Sequence, residues 1–225
     1  MRELVQRQAR ALGDPTRYEI FRFIADSALP VRIGGLVERF GFNHNAIRQH
    51  LAKLVDARLL TEELSSSGGT GRPPLQYRVA GAAVGTWGAP GPYELLAVLL
   101  LDVAAGRATP QEAGAKAGRR VAADYGEGAD PLEAVESEMA RRGFEPRRER
   151  TGPLVEVILE RCPFAVAAAT EPDVVCCAHQ GLAEGMLDAL GSDLEVSALV
   201  AYPPEQAGCR LQLRPRSGAT SPSVA

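Results

Sequence analysis

The chain has 225 residues, 45% of them hydrophobic and 24% charged, with a formal net charge of −3. That length buries a good core in one large domain or two small ones, and the composition excludes collagen-like and disordered chains. No apolar run reaches the roughly 18 residues of a membrane helix; the longest, Leu95 to Ala105, is broken by Asp102. The opening Met1-Arg2-Glu3-Leu4 lacks the apolar core of an export signal. The expectation is a cytoplasmic protein with no membrane partner, whose four cysteines are thiols or metal ligands in a reducing compartment.

In chain order, Glu3 to Leu12 reads as a helix. Asp14-Pro15-Thr16 starts another, with Asp14 as N-cap and Pro15 at the first helical position, running to about Ala25 and burying Ile20, Phe21, Phe23 and Ile24. Ile33 to Phe40 is a short helix ended by Gly41. Asn43 caps the next, in which Ile47, Leu51, Leu54, Val55 and Leu59 recur at helical spacing. Strands near Leu59–Leu64 and Leu75–Val79 flank a Ser/Gly turn at Ser65 to Gly71. Gly81 to Pro92 reads as a linker. Beyond it, Tyr93–Ala105, Pro110–Tyr125 and Pro131–Arg142 are predicted helices, and Leu154–Glu160 is a strand. A helix over Asp173–Leu190 and a hairpin of Glu195–Tyr202 with Cys209–Leu213 follow. The fold class is α+β. An N-terminal winged helix-turn-helix (1–80) and the linker (81–92) precede a helical connector and dimerisation segment (93–143). A small α+β sensor domain (144–215) and a disordered tail (216–225) complete the expected organisation.

Charge follows this division. Residues 1–80 carry 12 Lys and Arg against 8 Asp and Glu, whereas residues 81–225 carry 13 against 20. A basic front joined to an acidic back suits a nucleic-acid module attached to a part that avoids nucleic acid. Within the front part, Phe40-Gly41-Phe42 supplies the tight turn between two helices. With Ile47, Leu51 and Leu54 facing the core, Asn45, Arg48 and Gln49 fall on the outer face, and these side-chain types pair bidentately with guanine or adenine edges. His44, His50 and Lys53 stand at the flanks, within reach of phosphates or bases. The Gly-rich hairpin tip presents Arg72, held by Pro73-Pro74, as a cation for the backbone or the minor groove. A solvated helix face and a solvated turn are the ordinary alternatives for each feature alone.

Ala11-Leu12-Gly13-Asp14-Pro15-Thr16-Arg17 resembles the opening of ArsR-like winged-helix repressors. Asn45 to Leu54, NAIRQHLAKL with its His50-Leu51 pair, resembles their recognition helix. Gly71 to Tyr77, GRPPLQY, resembles the wing of a bacterial subgroup that includes the SufR regulators. The resemblance spans about residues 8–80. It implies a bacterial, nucleoid-associated regulator that binds palindromic double-stranded operator DNA as a homodimer. The first helix and the apolar Tyr93–Val103 helix are the dimer surfaces in view, and Leu95, Leu96, Leu99 and Leu100 serve equally as core of one subunit.

All four cysteines lie between residues 162 and 209: Cys162 at a strand end, Cys176 and Cys177 early in a helix, and Cys209 opening the last strand. Gathered together, such thiols select iron–sulfur clusters, zinc or copper(I). Scattered, they pack as small hydrophobes. The Cys162-Pro163-Phe164 motif, the later Cys176 and the Gly208-Cys209 before a terminal strand resemble the C-terminal domain of SufR-like regulators. There cysteines hold an iron–sulfur cluster whose state changes DNA affinity. The resemblance implies Cys162, Cys176 and Cys209 as ligands, with a 4Fe–4S cluster as cofactor. For a fourth ligand, adjacent Cys177 diverges from Cys176 by about 100° on a helix. His179, three residues on, is the better local candidate, and a non-protein ligand is the other. A regulator answering thiol oxidation or a small organic effector, without metal, is the alternative.

An enzyme is not expected. Cys176 and His179 have no evident orienting acid, and the glycines at 68–71 lack the Lys-Ser or Lys-Thr of a phosphate-binding loop.

Overall fold

The computed structural model describes residues 2–65, 73–87, 91–204 and 206–216. The chain divides into two units, Met1–Gly91 and Pro92–Ala225.

The first unit begins with α1 (Arg2–Leu12) and α2 (Pro15–Asp26), and the second helix is started as its sequence demands. Pro15 occupies the first turn and the Asp14 carboxylate accepts the Arg17 backbone N–H at 2.9 Å. Then come β1 (Val31–Arg32), α3 (Ile33–Phe40), α4 (His44–Asp56), β2 (Leu60–Leu64) and β3 (Leu75–Val79). The strands form an antiparallel sheet in the order β1-β3-β2, a helix-turn-helix backed by a wing hairpin. β1, two residues pairing Val31 with Tyr77 and Arg32 with Gln76, was not expected, because two residues are too short to show an alternation. Ile20, Phe21, Leu36, Ile47, Leu51, Leu54, Leu59 and Leu60 are fully buried at its centre. Phe23 packs only at the edge of this core. The segment expected as a linker contributes too. A 3-10 turn at Gly81–Ala83 buries Ala83, and the Trp87 indole N–H donates to the Gln8 side-chain oxygen at 3.0 Å.

The second unit contains α5 (Pro92–Ala104), α6 (Pro110–Ala122), α7 (Pro131–Arg141), β4 (Pro146–Thr151), β5 (Leu154–Leu159), α8 (Ala165–Thr170), α9 (Pro172–Ala189), β6 (Leu194–Val200) and β7 (Cys209–Pro215). Its four strands are all antiparallel, in the order β4-β5-β7-β6. Two elements carry too little periodicity to be read from sequence. β4, PRRERT, is an exposed edge strand whose charges suit an edge, and α8 is six residues long. The expected connector is not a separate piece. Leu99 of α5, Ala113 of α6 and Ala178 of α9 share one cluster, and α6 lies against α9 along its length.

That last contact is made of glycine. Gly114 and Gly118 on α6 face Gly181 and Gly185 on α9. A Cβ added at Gly114 would meet the Ala178 carbonyl oxygen at 2.0 Å, and one at Gly185 would meet the Ala115 carbonyl oxygen at 2.0 Å. Backbone touches backbone, so any side chain there forces the helices apart. Gly185→Val is expected to destabilise the second unit by about 3 kcal/mol or more, read from urea unfolding. Gly34→Ala, on α3 where an added Cβ meets nothing within 4 Å, is expected to stabilise the first unit by up to about 1 kcal/mol.

Candidate functional site

Two groups of side chains stand out, one in each unit. In the first unit, Gly41 adopts φ 70° and its N–H closes α3 on the Val37 carbonyl at 2.9 Å. Asn43 restarts the chain, its side-chain oxygen accepting the Ala46 N–H at 3.0 Å. These caps fix the phase of α4. Ile47, Leu51 and Leu54 point into the core, and His44, Asn45, Arg48, Gln49 and Lys53 are all exposed. The five predicted contacts on this helix therefore share a solvent-facing surface, with Asn45, Arg48 and Gln49 in its N-terminal half.

His50 departs from the expectation. It is half-buried, with Nδ1 at 4.0 Å from Asp14 Oδ1 and its ring beside Phe42, 6.3 Å between centroids. Its Nδ1 is buried with no hydrogen-bond partner. The ring lies toward the start of α2, one residue before Leu51 of the buried face. Arg72 lies outside the described residues. The base of the hairpin is held by residues the sequence did not single out. Arg32 Nη2 donates to Ser65 Oγ at 2.8 Å, and Glu63 accepts from Gln76 Nε2 at 2.9 Å and from Arg78.

In the second unit the strand register gathers the thiols. Leu159 pairs with Cys209, and the Gly208 N–H donates to the Leu159 carbonyl at 2.8 Å, which sets Cys209 beside the chain leading to Cys162. The chain then passes through α8 into α9, whose fifth residue is Cys176. All four thiols are free, with Cys162, Cys176 and Cys209 half-buried and Cys177 exposed. Cys162, Cys176 and Cys209 lie close enough that a negative charge on one opposes charge on the others. The Cys209 sulfur accepts the Tyr202 backbone N–H at 3.3 Å. Burial and then the neighbouring thiols push Cys176 up to about 11, and burial also raises Cys162. Tyr202 acts through its main-chain amide, so no residue-type signal could have pointed to it.

His179 does not join the thiols, contrary to expectation. Its ring stacks on Phe144 with centroids 4.1 Å apart and planes 7° from parallel, and Nε2 lies 2.6 Å from Met139 Sδ. Burial lowers its pKa to about 4, leaving the imidazole neutral at pH 7. Helical spacing put it near the face of Cys176, and packing against Phe144 and Met139 claimed it for the core. Among the described residues, no group of three or more His, Cys, Asp or Glu side chains is arranged to hold a metal ion. Among them too, no helix is long and apolar enough to cross a membrane.

Comparison with known proteins agrees with the first unit. Residues 12–63 match the family model described as a helix-turn-helix domain, the segment that runs from the end of α1 into β2. Fold and match together identify a helix-turn-helix domain in the first unit. No curated protein matches the chain, and no solved structure does.

Because the Cys176 thiol is raised from 9.0 to about 11, its thiolate fraction at pH 8 falls about 100-fold below that of an unperturbed cysteine. Iodoacetamide labelling of the reduced protein, followed by peptide mass spectrometry, is expected to show Cys176 reacting about 100-fold slower than a free cysteine peptide. The rate should climb steeply as pH approaches the thiol's own value. Labelling at the peptide's rate contradicts the buried, thiol-crowded environment.

Proposed function

We propose that this protein is a homodimeric transcriptional regulator of the ArsR-like, SufR-like kind. It binds operator DNA through α4, and the thiols of its second unit sense an iron–sulfur cluster. The observation that carries the DNA reading is the exposed Asn45, Arg48 and Gln49 at the N-terminal half of a capped second helix, within the helix-turn-helix match. A recognition helix entering the major groove presents this part of itself to base edges. Arg48 has the fork for guanine, and Asn45 and Gln49 have the amides for adenine. His44 and Lys53 supply contacts at the ends of the helix. Arg72, on the predicted wing tip, grips the neighbouring backbone or minor groove.

The sensor reading rests on three half-buried thiols that converge from a strand end, a helix and a hairpin. The Cys209 sulfur already accepts a backbone N–H group, the kind of bond that stabilises thiolate sulfur and tunes a cluster. A single zinc ion draws its thiols to about 2.3 Å from one centre, and no such trio is built among the described residues. An iron–sulfur cluster bound there would supply a redox- and oxygen-sensitive group. Cys162, Cys176 and Cys209 are its protein ligands, and His179, stacked on Phe144, is not the fourth. The Cys162 chain and α9 are thereby tied together, and freeing the thiols shifts the population of sensor arrangements and with it operator affinity.

Arg48→Ala is expected to weaken operator binding about 10- to 100-fold, measured by anisotropy against genomic promoter fragments. Lys53→Ala is expected to weaken all sequences alike and reduce the salt slope by about one. Unchanged affinity in Arg48→Ala overturns the DNA reading. Anaerobic purification is expected to give a coloured protein containing iron and sulfide, and Cys162→Ser a colourless one. A colourless parent whose DNA affinity answers an organic effector replaces the cluster reading and leaves DNA binding standing.

A further inference from the structure

Within the second unit, α5 and α9 do not close completely on each other. Leu96 and Leu99 of α5, Val175 and Leu182 of α9, and the rings of Phe144 and Phe164 enclose a cavity of about 20 Å³. All six are buried, and the half-buried Leu95 and Arg142 stand at its exposed edge. Phe144 is held by two rings, edge-on to Phe164 with centroids 5.5 Å apart and stacked on His179 at 4.1 Å. A ring pinned in this way does not swing inward to fill the space.

The polar side chains of the wall are already engaged. His179 Nε2 lies 2.6 Å from Met139 Sδ, and Arg142 Nε donates to the Glu138 carboxylate at 2.6 Å. A buried water makes about three hydrogen bonds, and these two groups direct theirs elsewhere. The cavity therefore favours an apolar guest. Size sets the second limit. A pocket for an organic ligand spans about 300–1,000 Å³, whereas this one admits a guest of roughly one or two heavy atoms.

We propose that this cavity is a binding site for an apolar diatomic gas such as dioxygen. Transfer of such a molecule from water into a dry, apolar space is favoured for the same reason that hydrocarbon side chains are buried. Larger cavities lined by Leu, Ile and Phe stay dry and take up xenon. Val175 precedes Cys176 by one residue and Phe164 follows Cys162 by two, so the guest lies against the two segments that carry those thiols. The assignment goes beyond the sensor reading, because side chains alone build the cavity and no state of the thiols enters it.

Xenon and dioxygen are the probes, applied to the full-length reduced protein with methyl groups followed by NMR. Xenon under pressure is expected to shift the methyls of Leu96, Leu99, Val175 and Leu182 along a saturating curve. Dioxygen is paramagnetic, and should speed relaxation of those methyls at least about twofold more than at Leu187 and Leu213. These two controls are as deeply buried in the same unit and do not line the cavity. Val175→Ile adds one methylene to the wall and is expected to abolish both responses. Should that variant fold poorly, the comparison between cavity and control methyls in the parent decides alone. Equal relaxation at the two sets, or xenon shifts that rise without saturating, overturn the proposal. A folded Val175→Ile that keeps both responses overturns it too. Neither readout requires iron, so a colourless protein ends the cluster reading and leaves the gas site to be judged separately.

Discussion

The backbones of α6 and α9 touch at four glycines, and this contact orients the second unit. Gly181 and Gly185 lie about 140° and 180° around α9 from Cys176 at 100° per residue. Turning the glycines onto α6 therefore turns Cys176 to the opposite side, toward the strand ends that bring Cys162 and Cys209. The side chains that would have kept the helices apart are missing from both partners at once. Such an interface gains from dense van der Waals contact and from Cα–H···O approach, and it has no slack to rotate. Gln111, donating to Glu184 at 2.8 and 2.9 Å, closes the exposed edge of the same pair.

On the far side of α9 the sheet does the complementary work. Cys209 is the first residue of β7, and its pairing with Leu159 places it beside the chain that leaves β5 for Cys162. The turn before it uses Ala207 and Gly208 at φ 55° and 79°, a sharp reversal that ends with the Tyr202 amide against the Cys209 sulfur. A site assembled this way draws on three elements far apart in sequence. Its geometry therefore depends on the packing of α9 against the sheet.

The first unit is built on more local terms. Asp14, Gly41 and Asn43 each satisfy helix-end groups that have no partner inside their helix. Gly41 and Asn43, with the buried Ile47, Leu51 and Leu54, decide which side chains of α4 face out. The Arg17 guanidinium pairs with Asp14 and donates to the Ala11 carbonyl, and Arg78 pairs with Glu63, so part of the basic surplus of this region is already engaged within the unit. Asn45, Arg48 and Gln49 are left on the open face.

Much of the architecture was legible because it rests on nearest-neighbour chemistry. The Asp14-Pro15 start, the Gly41 stop, the Asn43 cap and the 3.6-residue recurrence from Ile47 to Leu54 each act within a turn or two of helix, so their outcome is written beside them. The outward set His44, Asn45, Arg48, Gln49 and Lys53 followed from that phase. β4 and α8 left no such mark, one for lack of apolar residues and the other for lack of length. His50 and His179 were misplaced for a common reason. Helical spacing tells which residues share a side, but a side spans more than one neighbour, and only tertiary packing decides which neighbour each ring meets. His50 met the Asp14 cap, and His179 met Phe144 and Met139. The amino-acid order by itself determined the helix boundaries, the exposed face of α4 and the presence of thiols in one stretch. Tertiary structure alone decided that Cys209 sits opposite Leu159 and that His179 packs on Phe144 and Met139, because those outcomes depend on strand register and on glycine-tight helix contact between residues distant along the chain.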